Sequence, residues 1–247
     1  MQEKKLYIIA MIGALICFTG DILLGFFTPA PDFMNKYIGI CFSYEWAEAD
    51  PVRFAIAGFL GTIALLLIFL GFYGVYLRMK ANKDRLSKLF LLSAFVFVSV
   101  GTLYHNVFAV TAYVYNKLSF YGFENAERFS MDIFNTFIIV GIPAAVGYAC
   151  MSIVFFISCV KGNIYPKRSL CFINPLAIMI ICVILSKLLP QTTFVNGVVS
   201  MGQQSIGLFI VILALLITYG NLRGENDHEN RGVFGYSWKL ASTEINT

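Results

Sequence analysis

The chain has 247 residues, of which 58% are apolar and 13% charged, where a water-soluble domain uses roughly 25% charged residues to cover its surface. That balance excludes an ordinary soluble globular domain. The net charge of +4 does not indicate nucleic acid, because Lys and Arg sit in short clusters between apolar runs and form no continuous basic face.

Apolar runs follow in chain order at about residues 6–27, 54–77, 89–115, 134–160, 170–189 and 194–219. Each approaches the roughly 20 helical residues that cross ~30 Å of hydrocarbon. In lipid every backbone N–H and C=O must be satisfied internally, which leaves helices or closed barrels. A run such as Ile63-Ala64-Leu65-Leu66-Leu67-Ile68 has none of a barrel's apolar/polar alternation. The predicted fold class is therefore all-α: a polytopic transmembrane helix bundle of about six spans over residues 1–220, with a polar cytoplasmic tail at 221–247. The fifth run is the shortest and opens on Asn174-Pro175, so five spans is the alternative count. The first run follows Lys4-Lys5 without a small-residue cleavage site and reads as a retained helix.

Orientation follows from the loops, since Lys and Arg stay on the cytoplasmic side. One side collects Lys4, Lys5, Arg78, Lys80, Lys83, Arg85, Lys88, Lys161, Lys167 and Arg168; the other has only Lys36, Arg53, Lys117 and Arg128 among several acids. Both termini are expected in the cytoplasm, and the protein in the cell membrane. Cys17, Cys150, Cys159, Cys171 and Cys182 lie in or beside apolar runs, where a thiol behaves as a small hydrophobe, and only Cys41 falls in a polar loop. No disulfide framework is implied.

Charge inside a span costs about 2.5–3.5 kcal/mol on insertion scales, so Asp21 in the first run and Lys187 in the fifth need reasons. They carry opposite signs in the same leaflet, which suits an ion pair; otherwise Lys187 snorkels to the interface. Ala14, Cys17 and Gly25 share a face with Asp21, and small residues let another helix approach it. The third run places Ser99, Thr102 and Asn106 on one face with His105 beside them, and the sixth groups Asn196, Ser200, Gln203, Gln204 and Gly207. Interhelical glue accounts for such stripes as well as a ligand does. With the topology imposed, Asp21, His105, Asn106, Gln203 and Gln204 share one depth, and together with Lys187 they are the candidate substrate-binding residues. They describe a polar chamber opening outward, with Tyr44–Pro51 able to cover it as a short helix ending before the proline.

A zinc site needs three or four Cys, His or carboxylate ligands, so no metal or cofactor is expected. There is no Gly-x-Ser-x-Gly elbow and no Gly-rich phosphate loop. The histidine-bearing helix is similar to those of membrane hydrolases of the ceramidase and progestin-receptor type, but the further His-rich motif of that family is missing. Gly20-Asp21-Ile22-Leu23-Leu24-Gly25, Tyr104-His105-Asn106-Val107-Phe108 and the glutamine pair resemble an uncharacterised family of small bacterial polytopic membrane proteins. That resemblance implies a fold and no reaction.

Two functions remain from the residues. One is binding or transport of a small amphiphile or lipid in the chamber, with the bilayer and that ligand as partners and no nucleic acid; a partner subunit without a ligand would instead leave the polar stripes satisfied between helices. The other is an enzyme using Asp21 and His105 as an acid–base pair on a lipid-borne substrate. The topology predicts that Cys41 reacts with an impermeant thiol reagent from the outer side of intact cells. Labelling only after the cytoplasmic side is opened would reverse the orientation.

Overall fold

Lipid tails are as apolar as Leu, so helices in a membrane gain little from burying apolar side chains against one another and depend on close backbone approach. In the computed structural model, which describes residues 2–34, 42–165 and 167–219, α1 (Gln2–Gly25) and α2 (Val52–Ala81) meet in this way. They run antiparallel, and small residues line both sides of the seam. A Cβ on Gly13 would lie 2.9 Å from the Ala64 carbonyl oxygen, one on Gly20 would lie 3.3 Å from that of Ala57, and one on Gly71 would strike Ala10.

The next helices add to this pair in alternating directions. α3 (Ser87–Phe120) returns along α2, with Phe72 and Phe90 ring centroids 6.2 Å apart at one end and Asn106 against Gly58 towards the other. α4 (Ala126–Phe137) is amphipathic and buries Ala126, Ser130 and Phe134 at a spacing of four. A 3₁₀ turn at Ile138–Val140 leads into α5 (Gly141–Val160), which runs back along α3 through Phe97–Tyr148 and Phe90–Phe155 ring contacts at 5.0 and 6.4 Å.

α6 (Pro175–Leu188) starts on an Asn174 cap whose Oδ1 accepts from the Leu176 N–H while its Nδ2 donates to the Ser152 carbonyl. The last run is not one straight helix. A π-helical segment, Val195–Met201, is followed at a 62° bend by α7 (Gln203–Tyr219).

Among the described residues, α1, α2, α3 and the continuous Ala126–Val160 stretch are long and apolar enough to cross a membrane, and the bent pair makes a fifth if counted as one span. The chain is thus an all-α integral membrane protein. α6 has 14 residues and at ~1.5 Å per residue reaches about 21 Å, short of the ~30 Å of a full crossing. The difference from six apolar runs lies there.

The two ends of the bundle differ. Away from the Lys/Arg clusters, Phe27, Phe33, Phe42, Trp46, Phe54, Phe108 and Phe134 form an aromatic core. Trp46, on the 3₁₀ turn Tyr44–Ala47, is its centre: it is 1% exposed, and its Nε1 donates to the Leu24 carbonyl. Asn116 Nδ2 donates to the carbonyls of Trp46 and Ala49, each at 2.8 Å, and ties this turn to α3. Arg53 Nε donates to the Leu23 carbonyl at 2.6 Å, with its guanidinium 4.0 Å above the Phe27 ring.

At the basic end, Asp84 accepts from the Leu86 N–H and from Asn163 Nδ2, joining two loops. Burial opposes its charge, but those donors and nearby Lys161 hold its carboxyl below the usual carboxylate range. The five described cysteines are free; Cys41 and the 221–247 tail fall outside the described residues.

The seam predicts that Gly13→Val and Gly71→Val each destabilise the protein by about 1–3 kcal/mol through overpacking, read as thermal unfolding in detergent. Leu66→Ala, on the exposed face of α2, is the control. Glycine variants no less stable than this control would contradict the packing.

Candidate functional site

Asp21 faces protein on both of its oxygens. Ser205 Oγ, on α7, donates to Oδ2, and His105 Nδ1, on α3, lies 3.8 Å from Oδ1. Each of the two titratable side chains is 13% exposed. The other ring nitrogen, Nε2, lies 3.1 Å from the Ala57 carbonyl oxygen of α2. A carbonyl only accepts, so Nε2 carries a proton. In a neutral imidazole that leaves Nδ1 as an acceptor turned towards Asp21. At 3.8 Å this approach is longer than a hydrogen bond, so the imidazole faces the carboxyl without being bonded to it.

Three local features of sequence bring these groups together. Gly61 vacates the space that the His105 ring occupies; any Cβ there would strike the ring. Asn196 of the π segment donates to the Gly25 and Phe27 carbonyls at 2.9 and 3.1 Å, which straps the segment across the end of α1. Gly197 lies close against Phe26 in the same crossing, leaving 2.9 Å between its Cβ position and that ring. With the strap in place, α7 begins beside Asp21, and Ser205 is its third residue. The first turn of a helix has unpaired N–H groups and the positive end of the helix dipole, which favour a nearby carboxylate.

The other sequence candidates fall in different places. Asn106 spends its amide on the α2–α3 joint, donating to Thr62 Oγ1 and to the Thr102 carbonyl, both at 2.9 Å. Gln203 is partly buried, and its Oε1 is buried without a hydrogen-bond partner. Gln204 is exposed, as is Lys187 on α6. The basic side chain that faces Asp21 is His105 and not Lys187.

The outward-opening chamber expected from the sequence is likewise not an open space beside Asp21: protein groups take both oxygens, and the aromatic core around Trp46 fills that end of the bundle. The short helix expected before Pro51 is present as the 3₁₀ turn Tyr44–Ala47, but it inserts Trp46 as a plug instead of covering a chamber, and Pro51 is the residue preceding α2. Among the described residues no group of three or more His, Cys, Asp or Glu is placed to hold a metal ion.

Sequence reasoning missed Ser205, Ala57 and Gly61. Ser205 stands directly after the glutamine pair, but a straight helix over 194–219 assigns the wrong face to it, since the π segment and the bend rotate everything that follows. Gly61 carried a usable signal, three residues after Gly58 on a helix whose neighbour bears His105 and Asn106 next to each other.

No curated protein and no solved structure matches the chain. A family model matches residues 1–221, which takes in every helix from α1 to α7, and the chain belongs to that family, the family of unknown function DUF6796.

Proposed function

We propose that this protein is a six-span binding or transport protein of the cell membrane, with both termini cytoplasmic, that holds a small amphiphile or lipid-like molecule at the Asp21–His105–Ser205 junction. The observation that carries the reading is a buried carboxyl that accepts from Ser205 and faces an imidazole at 3.8 Å, beside the break of the last span. Ionisable groups inside membrane helices mark ligand and ion pathways more often than they mark packing. Interrupted helices are tolerated at membrane depth where they are enclosed by protein or line a site.

Gln203 adds a second argument. Its buried Oε1 lacks a donor two residues from Ser205, and a ligand hydroxyl or amine reaching that oxygen would satisfy it. Asp21 and His105 are both titratable and face each other, so ligand binding can be linked to protonation of this pair.

The enzymatic alternative uses the same pair as general acid and base on a lipid-borne substrate. It requires a substrate atom within hydrogen-bond reach of both groups, and the contacts of Asp21 with Ser205 and His105 favour binding over turnover.

Asp21→Asn keeps size and hydrogen bonding; Asp21→Leu keeps neither. Both variants are expected to fold, because removing a buried charge removes its desolvation cost. Mass spectrometry of molecules that co-purify with each protein provides the test. Asp21→Leu is expected to retain about tenfold less than wild type, the equivalent of one charge-assisted hydrogen bond. Equal retention by the Leu variant would refute the proposal.

A further inference from the structure

At the basic end of the bundle Arg78 of α2 is buried, and its Nη1 has no hydrogen-bond partner. Among the described residues no carboxylate forms an ion pair with it; Glu3, which acts electrostatically on neighbouring Tyr7, forms none either. Tyr7 lies beside the guanidinium, yet its hydroxyl has no partner in hydrogen-bond geometry. Two buried donors, a guanidinium N–H and a phenol O–H, thus lack an acceptor. A buried guanidinium N–H without an acceptor is costly in a helix bundle, and an anion would satisfy it.

Directly beside this polar layer runs a crevice with wholly apolar walls, among them Phe72, Val75, Phe90, Met151, Phe155 and Leu215. The two are contiguous. Val75 precedes Arg78 by three residues on α2, and Phe155 precedes Cys159, another neighbour of the guanidinium, by four on α5; both spacings are one helical turn. The Phe155 ring also meets the edge of Tyr165, which shares the field of Arg78, at 5.7 Å. From α6 the crevice receives only Pro175. The crevice is narrow, about 10 Å³.

We infer that this is a binding site for one anionic phospholipid, with its phosphate on Arg78 and Tyr7 beside the apolar crevice. A guanidinium fork matches phosphate in shape and charge better than any other side chain. The surrounding Lys80, Lys83, Arg85, Lys88 and Lys161 draw anionic lipid to this end of the bundle. The site is separate from the Asp21 junction, and neither reading depends on the other.

The test compares phosphatidylglycerol, phosphatidylcholine of the same chains and inorganic phosphate, each added to the delipidated full chain in detergent, by thermal shift and native mass spectrometry. Phosphatidylglycerol is expected to raise the unfolding temperature of wild type and of Arg78→Lys. On Arg78→Gln its binding should be about tenfold weaker, the loss of one charge-assisted contact. Phosphatidylcholine and phosphate should do little. An equal response to phosphatidylcholine, or an undiminished response of Arg78→Gln, would overturn the site. Phosphate acting as strongly as phosphatidylglycerol would overturn the lipid assignment. Wild type alone also decides the matter if Arg78→Gln does not fold: native spectra must show one retained anionic lipid, and retention of both lipids in equal measure contradicts the proposal.

Discussion

A carboxyl group within a membrane has no water to accept as a partner, so its partners have to come from other helices. Asp21 takes them from two, Ser205 on α7 and His105 on α3, while the far nitrogen of His105 is held by a carbonyl of α2. Four helices therefore converge on one side chain. The surrounding sequence follows from that convergence. Gly61 makes room for the ring, and Asn196 binds the π segment to the end of α1 so that α7 can begin beside the acid. The bend in the last span places the open first turn of α7 where a carboxylate gains most from it.

Magnitudes separate what holds the bundle together from what gives it a particular shape. Polar contacts between membrane helices average only ~0.6 kcal/mol each, whereas an aromatic pair contributes about 0.5–1.5 kcal/mol beyond its packing. The core around Trp46 and Phe42 contains several such pairs, including Phe42–Phe108 at 5.3 Å and Phe42–Phe134 at 5.0 Å. Together with the close-packed α1–α2 seam, this core supplies most of the cohesion at its end. The Asp21 junction adds little stability and sets instead the register of α7 against α1. At the basic end the balance is reversed, because Arg78 is buried without the partners that Asp21 has.

The sequence was legible where one physical effect dominates. Hydropathy locates the spans containing α1, α2, α3 and α5, because runs such as Ile63–Ile68 have no other reading in lipid, and the small face Ala14–Cys17 points Asp21 towards protein. It was not legible where helices meet. Hydropathy begins the fourth run at 134, but α4 starts at Ala126, since an amphipathic helix lowers the mean that such a reading depends on. Hydropathy over 194–219 reads as one straight helix, whereas the π segment Val195–Met201 and the bend after it leave Gln204 exposed and bring Ser205 to Asp21. Lys187 offered the right charge at the right depth, yet α6 is too short and too exposed to bring it in. Periodicity along one helix carries no information about which neighbour a polar face meets, and His105 reaches Asp21 only because α2 gives way at Gly61.

The central claim is that Asp21 joins α1 to the first turn of α7, and a double-mutant cycle of Asp21→Ala and Ser205→Ala, read as unfolding free energy in a lipid-like detergent, tests it most directly. The account predicts a coupling of about 0.6–1.7 kcal/mol, the range of hydrogen bonds between membrane helices. Effects that add to within about 0.3 kcal/mol, as they do for residues that do not touch, would contradict it.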